Sequence, residues 1–476
     1  MEQRAVRGVS LLVGRTLAVQ VLTVGGTIVL ARLVAPAEYG LFAIALAVQQ
    51  LGRSLAELGL AAALLAREQP PSRRELQCVG GVVAVSAATL ASGVALLVLL
   101  AAAVGLPVRA GAVVAVAVAA LPIYALRLIP IVRLERALRF REIVAMELVE
   151  TLGFYAVAVP AASAGLDAFA LSAAVPISAV LGTAVVWALA PGPLPTGLQL
   201  AVVRPLLAFG ARVSILTPLQ LGREVATTVA LAAVGGQALA GFYSLSVRLL
   251  SLLTALSYAV QRVALPALAR VPPGSLRRER ATTAATLSLV AASLPISLVV
   301  GAAAPLVATL FGARWLPAVD IVSASALGIL VFASVGAVEL SLALADGDAR
   351  RPVRAFVTYA TLQLAVALAL PPWLGATAAG LAVTTGSVAF AAMLLWPLRG
   401  PERQIAVGAA RTAAVALLAV LAGRAAAGGG TDVGALVGAA AASGAAWVAA
   451  SFALNAQDAR RLVAVLRRHI RRKTSV

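Results

Sequence analysis

The stretch QCVGGVVAVSAATLASGVALLVLLAAAVGLP, Gln77–Pro107, runs for 31 residues without a charged side chain. A membrane-spanning α-helix needs about 20 consecutive apolar residues, so this stretch is long enough to cross a bilayer. The stretches Ala168–Val203 and Phe356–Leu398 are also uncharged. Only helices or a closed barrel satisfy the backbone in lipid, and alternation with period two is absent. The sequence therefore predicts an all-α polytopic membrane protein.

Breaks at proline, glycine and charged clusters divide the chain into about fourteen predicted transmembrane helices of the length that a bilayer requires. Hydrophobic residues make up 61% of the chain and charged residues 12%, which fits this division. The predicted spans are 9–32, 38–66, 78–106, 108–132, 143–164, 168–190, 205–233, 238–268, 284–311, 316–344, 354–373, 376–398, 405–424 and 432–454.

The 38 basic residues are distributed asymmetrically over this map. Every second turn and both tails together hold 26 of them, whereas the opposite turns hold only Arg32, Arg109, Arg314 and Arg424. Short basic loops stay in the cytoplasm, so both termini are predicted to be cytoplasmic. The net charge of +19 is thus mainly a topology signal, and no nucleic-acid partner is expected.

Several kinds of chemistry lack the residues they need. Cys78 is the only cysteine and His469 the only histidine, which argues against cysteine-based metal sites, zinc sites and a Ser-His-Asp triad. No phosphate-binding loop of the GxxxxGK[ST] type is present, so ATP hydrolysis within the chain is not expected. We predict a protein that is not an enzyme, with no catalytic residues, metal or cofactor.

Two turns resemble each other at an offset of about 203 residues, the order of half a transporter. AREQPPSRRE occupies residues 66–75, and ARVPPGSLRRE occupies residues 269–279. Proline and arginine are common in cytoplasmic turns, but the shared order favours duplication. We predict two six-helix lobes, 1–203 and 204–400, related by a pseudo-two-fold axis along the membrane normal. An appended helix pair, 401–454, and a basic amphipathic cytoplasmic tail, 455–476, follow.

Some charged residues lie inside predicted spans, where a guanidinium costs about 3 kcal/mol or more without water or a partner. Arg53, Arg223 and Arg248 are deep, so their side chains are expected to point inward; Arg15 and Arg262 are shallower candidates. Glu57, Glu224 and Glu339 lie at similar depths and could bind a proton or Na⁺. Two interpretations stay open: neutralising pairs such as Arg53–Glu57 that only permit insertion, or a cationic cavity between the lobes.

Arg127, Arg212 and Arg411 lie near predicted cytoplasmic ends, where snorkelling to the headgroups is expected.

Four segments carry a resemblance to a known family. ARLVAPAEYGLFA (31–43), ELGLAAAL (57–64), RALRF (136–140) and LFGARWLPA (310–318) resemble segments of Wzx-type polysaccharide or O-antigen flippases, which belong to the multidrug/oligosaccharidyl-lipid/polysaccharide (MOP) exporter superfamily. The resemblance implies two six-helix lobes around a cavity that opens alternately to either side of the membrane.

The resemblance also implies a function. Such flippases move undecaprenyl-pyrophosphate-linked oligosaccharides to the outer leaflet of the bacterial cytoplasmic membrane for surface polysaccharide synthesis. The pyrophosphate would bind in the cationic cavity, for which Arg53, Arg223, Arg248, Arg15 and Arg262 are the candidates by depth. Membrane lipid, a coupling H⁺ or Na⁺, a polysaccharide polymerase and glycosyltransferases are the expected partners.

Two alternatives from other functional classes remain. An H⁺- or Na⁺-coupled multidrug exporter of the same fold would favour an acidic cavity, against which the deep arginines argue. A non-transporting scaffold for polysaccharide assembly is the second alternative. A glycosyltransferase or ligase would need a large periplasmic loop or a catalytic carboxylate pair outside the spans, and neither is present in the sequence.

Overall fold

The computed structural model describes residues 22–348, 350–396 and 401–455, with the side chains of residues 213, 251–263, 266 and 401–403 left out. Within these ranges all regular structure is helical, which confirms the predicted fold class. The chain forms two compact units, residues 1–229 and 230–476. The predicted division at residues 203, 400 and 454 into lobes, helix pair and tail stays a prediction.

The first unit is a bundle whose helices break and restart several times within the predicted spans. The described helices are α1 (Leu22–Leu33), α2 (Pro36–Glu57), α3 (Leu60–Leu65), α4 (Arg73–Ala103), α5 (Arg109–Val118), α6 (Leu121–Leu126), α7 (Leu128–Arg136), α8 (Phe140–Ser163), α9 (Asp167–Leu189), α10 (Leu200–Ser214) and the first part of α11 (Leu216–Ala269).

The second unit begins within α11, whose helical backbone is interrupted at Gly236 with φ 81° and ψ 166°. This interruption falls in the predicted turn between spans 205–233 and 238–268. The following helices are α12 (Ser275–Gly301), α13 (Ala303–Phe311), α14 (Pro317–Val331), α15 (Ala337–Ala345), α16 (Arg350–Ala369), α17 (Pro371–Leu374), α18 (Ala376–Leu395), α19 (Pro401–Ala427) and α20 (Val433–Leu454). A 3₁₀ turn (Ala313–Trp315) precedes α14, and a π-helical turn (Phe332–Gly336) joins it to α15.

Eleven helices of the described residues are long and apolar enough to cross a membrane. The lipid-facing character is clearest on α4, where Leu97 is 67% exposed and Leu99 66% exposed. Side chains of this kind exposed in a row would be unfavourable in water but are suited to hydrocarbon. The protein is therefore a multi-pass membrane protein, and the number fourteen stays a prediction.

The C-terminal helix pair α19–α20 packs on α12 through small residues within the second unit. A Cβ placed on Gly301 or Gly423 would overlap the Ser443 hydroxyl. At the other end of the pair, Asn455 Nδ2 donates to Thr412 Oγ1 over 3.1 Å. Close approach through glycine and serine is typical of helix packing in membranes.

The arginines of the basic turns have a structural role beyond topology, because they donate to carbonyls at helix ends. Arg136 donates to the carbonyls of Leu64 and Arg67 at the end of α3, each over 2.8 Å. Arg351 donates to the Trp396 carbonyl after α18 over 2.9 Å. The last carbonyls of a helix lack intrahelical partners, so these guanidinium groups satisfy them.

One predicted span, 38–66, is divided by a sharp break between α2 and α3. Leu58 (φ 46°) and Gly59 (φ 71°) both adopt left-handed backbone conformations, which for Leu58 costs roughly 1–2 kcal/mol. Gly59 and Gly210 of α10 face each other so closely that a Cβ on either would overlap the other's backbone. The break therefore ends α2 directly after Glu57, and α3, which follows it, packs against α10.

Gly59→Ala is expected to destabilise the protein by more than about 1 kcal/mol, because alanine strains the positive φ and its methyl group meets the Gly210 carbonyl. Gly93→Ala is the matched control, since Gly93 lies in α4 and a Cβ added there would meet no neighbouring helix within 4 Å. Thermal midpoints of the two purified variants test this. Equal midpoints would show that the break tolerates a side chain.

Candidate functional site

A cavity with charged and apolar walls opens within the first unit, between α2, α6 and the start of α11. It has a volume of about 440 Å³. The α2 wall presents two glutamines, an arginine and a glutamate, α6 presents a tyrosine, and α11 presents a threonine and a leucine. The lining residues include Gln49, Arg53, Glu57, Tyr124, Thr217 and Leu221.

Arg53 and Glu57 lie one turn apart on α2 and form an ion pair. Arg53 Nε donates to Glu57 Oε1 over 3.1 Å. The side chains are 40% and 28% exposed, so both ions reach the cavity and neither is sealed in protein. Among the described residues that line the cavity, Arg53 is the only cation and Glu57 the only anion. The predicted pairing of Arg53 with Glu57 is present, and the pair lines a cavity within the first unit; whether it only permits insertion or belongs to a cationic cavity between the lobes stays open.

Behind Arg53 lies a second, more buried pair. Arg127 is 1% exposed, and its two terminal nitrogens donate to the Glu150 carboxylate of α8 over 2.5 and 3.1 Å. The Tyr124 hydroxyl donates to the same carboxylate over 3.0 Å. One carboxylate thus receives three hydrogen bonds, which stabilises its charge inside the helix bundle.

The position of Arg127 follows from a break in the helix. Pro130 has no N–H, so the Leu126 carbonyl four residues earlier loses its helical partner. Trp187 Nε1 of α9 donates to this carbonyl instead, over 3.0 Å. Arg127 is the turn residue between α6 and α7, and the break directs its side chain toward α8.

Arg223 and Glu224 lie on α11 in the first unit, are half-buried, and are not among the residues that line the cavity. Arg248 is half-buried in the second unit. Arg15 lies outside the described residues, and so does the side chain of Arg262. The structure thus brings together Arg53 and Glu57 from the predicted set, while the assignment of the other residues to one site stays a prediction.

Glu339 lies in the second unit, where its side chain is 1% exposed and its Oε2 is 3.5 Å from Arg278 NH1. The neighbouring Arg277 pairs with Asp346 over 2.5 Å and donates to the Val271 carbonyl over 2.8 Å. Glu339 is therefore buried in protein and paired, and its predicted role as a coupling residue stays a prediction. Its counter-ion comes from the start of α12, in the turn that resembles the Pro70 turn of the first unit.

Sequence reasoning missed Arg127, Tyr124 and Glu150 as one cluster. The expectation that Arg127 snorkels to the headgroups is wrong, because its side chain is enclosed and paired with Glu150. The available signal was the combination of Pro130, which predicts a break beside Arg127, and Glu150, an acidic residue deep in the next span. A separation of 23 residues across a turn left the pairing itself undetermined.

Comparison with known proteins identifies the family. The model of a family described as polysaccharide biosynthesis protein matches residues 29–320, more than half of the chain. No curated protein matches the sequence.

Solved structures show the fold. Lipid II flippase MurJ in an inward closed conformation has a TM-score of 0.68 at 12% identity, covering 93% of this chain and 98% of MurJ. An inward-facing multidrug resistance MATE family transporter of the MOP superfamily has a TM-score of 0.58 at 15% identity, covering 82% of this chain and 95% of the transporter. With the fold of these membrane transporters and a family model matched over residues 29–320, the chain belongs to the family of polysaccharide biosynthesis proteins.

Proposed function

We propose that the protein is a flippase that moves undecaprenyl-pyrophosphate-linked oligosaccharides from the cytoplasmic to the outer leaflet by alternating access. Family membership supports a role in polysaccharide synthesis, and the fold supports transport. The observation that carries the substrate assignment is Arg53, a partly exposed guanidinium on a cavity within an apolar helix bundle. A pyrophosphate is the part of such a substrate that needs a cation in a low-dielectric site, and arginine binds phosphate through paired N–H groups.

In this proposal Glu57 is the resident counter-ion of Arg53 and the pyrophosphate replaces it. The exchange keeps the guanidinium neutralised throughout, so it avoids the cost of a bare charge in the membrane. Once displaced, the Glu57 carboxylate faces a phosphate without its arginine, and uptake of a proton or Na⁺ there would relieve the repulsion. Glu57 is therefore the first of the coupling candidates to test, ahead of Glu224 and Glu339, which do not line this cavity.

Orientation and location follow from the arginine distribution. We propose the bacterial cytoplasmic membrane with both termini in the cytoplasm, as short basic turns favour. The arginine-rich turns then face the side on which lipid-linked sugars are assembled, where glycosyltransferases would act before transport and a polymerase after it.

The decisive experiment uses the full chain in liposomes containing undecaprenyl pyrophosphate with one fluorescent sugar. Quenching of the outer leaflet by a membrane-impermeant reductant measures how fast the probe changes leaflet. Transfer faster than in protein-free liposomes is expected. Transport of a cationic dye with no movement of the lipid would favour the multidrug exporter, and binding of the lipid without movement would favour the scaffold.

A further inference from the structure

Tyr124 lies between two guanidinium groups. The Arg53 Cζ atom is 4.8 Å from the centre of the tyrosine ring, and the Arg127 Cζ atom is 4.1 Å from it. Both distances are within the range of a cation–π contact, about 6 Å. Arg53 lines the cavity and Arg127 is buried behind it, so the ring separates the exposed cation from the enclosed one.

The ring is held by the buried pair. Its hydroxyl donates to Glu150, and Glu150 accepts two further bonds from Arg127. Packing leaves little room for rearrangement, since a Cβ on Gly182 would lie 3.2 Å from Glu150 and 3.3 Å from Arg127. Tyr124 therefore has a fixed orientation before any ligand binds.

Contact with a ring leaves the hydrogen-bonding capacity of an arginine intact. A guanidinium has five N–H donors, and attraction to a π-face uses none of them. The Glu57 carboxylate accepts a hydrogen bond from Arg53 Nε. That hydrogen bond is lost when a phosphate replaces the carboxylate. The Tyr124 ring contact is independent of which anion Arg53 binds, so it persists through the exchange.

We infer that Tyr124 is a positioning residue, which keeps the Arg53 guanidinium at the cavity when the substrate pyrophosphate replaces Glu57, and that the Arg127–Glu150 pair fixes Tyr124 for this task. The inference rests on the proposed function. It assigns the buried cluster a role in ligand affinity that a purely structural ion pair would not have.

The test is the affinity of the full chain in lipid nanodiscs for undecaprenyl pyrophosphate. Tyr124→Leu is expected to raise Kd about 3- to 30-fold, the range that a partly desolvated cation–π contact supplies. Tyr124→Phe keeps the ring but loses the hydroxyl that donates to Glu150, so its Kd is expected to lie between those of the wild type and Tyr124→Leu. Tyr155→Leu is the matched control, because Tyr155 is on α8 in the same unit and does not line the cavity.

A double-mutant cycle separates positioning from general structure. In an Arg53→Ala background, Tyr124→Leu should cause no further loss of affinity, since the group it positions is gone. An equal loss in both backgrounds, or a Tyr124→Leu variant that binds like Tyr155→Leu, would overturn the inference and leave the proposed function intact. Failure of the wild type to bind the probe would instead contradict the proposed function. Tyr124→Met, whose longer and more flexible side chain can fill the space of the ring in another way, replaces Tyr124→Leu if that variant does not fold.

Discussion

Arg53→Ala is expected to abolish transfer of the fluorescent undecaprenyl pyrophosphate probe and to weaken binding of undecaprenyl pyrophosphate about 10- to 100-fold, the range of a hydrogen bond to a charged group. The substitution removes the only cation among the described cavity-lining residues and leaves the Glu57 carboxylate in place. The cavity would then repel a phosphate. The affinity of Arg53→Lys is expected to lie between those of the wild type and Arg53→Ala, because lysine keeps the charge but loses the paired donors.

Arg109→Ala is the matched control for this experiment. Arg109 also pairs with a glutamate, Glu38, over 2.8 Å, but it is 54% exposed and does not line the cavity. Its loss should leave transfer unchanged. Normal transfer by Arg53→Ala, with the control also active, would remove Arg53 from the binding site, whereas restored binding in Arg53→Ala/Glu57→Ala would show that Glu57 is the repelling group.

The position of Arg53 could be predicted because membrane depth is readable from sequence. Hydropathy locates the span, and the residue numbers place Arg53 and Glu57 one turn apart and far from both ends. A helix then fixes their relative placement, since side chains at i and i+4 share a face. Local geometry was therefore sufficient for the Arg53–Glu57 pair. It was not sufficient for Glu339, whose partner Arg278 comes from a different helix.

Arg127 shows where that reasoning fails. Distance from the cytoplasmic end of a span measures access to water only for a continuous helix on the lipid face. The α6–α7 break instead turns Arg127 inward to Glu150. The residue that Arg127 faces depends on how α6, α8 and α9 pack. Its pairing with Glu150, 23 residues away in the sequence, is therefore set by tertiary structure.

The same limit applies to the break after Glu57. Gly59 is one of 40 glycines, and most of those inside the spans continue the helix. What distinguishes it is Gly210, distant in the sequence, whose backbone it contacts. The left-handed conformation of Leu58 is stable only because this packing exists, so neither residue signals the break by itself.

Removing one member of the buried pair is expected to cause a large loss of stability. In Glu150→Leu the Arg127 guanidinium would remain enclosed without its carboxylate, at a cost of about 3–5 kcal/mol. The double variant Arg127→Met/Glu150→Leu should regain most of this stability, because it leaves no uncompensated charge. Thermal midpoints of the detergent-purified proteins, together with the amount inserted in membranes, measure the difference.

Glu142→Ala is the control, since Glu142 pairs with Arg139 over 2.8 Å and that arginine is 51% exposed. Exposed pairs contribute about 0–1 kcal/mol, so this variant should behave like the wild type. A double variant as unstable as Glu150→Leu would mean that the carboxylate matters mainly as the acceptor for Tyr124. Recovery of stability in the double variant without recovery of undecaprenyl pyrophosphate binding would separate the two roles, because the apolar replacement neutralises the bundle interior but provides no acceptor to hold the ring beside Arg53.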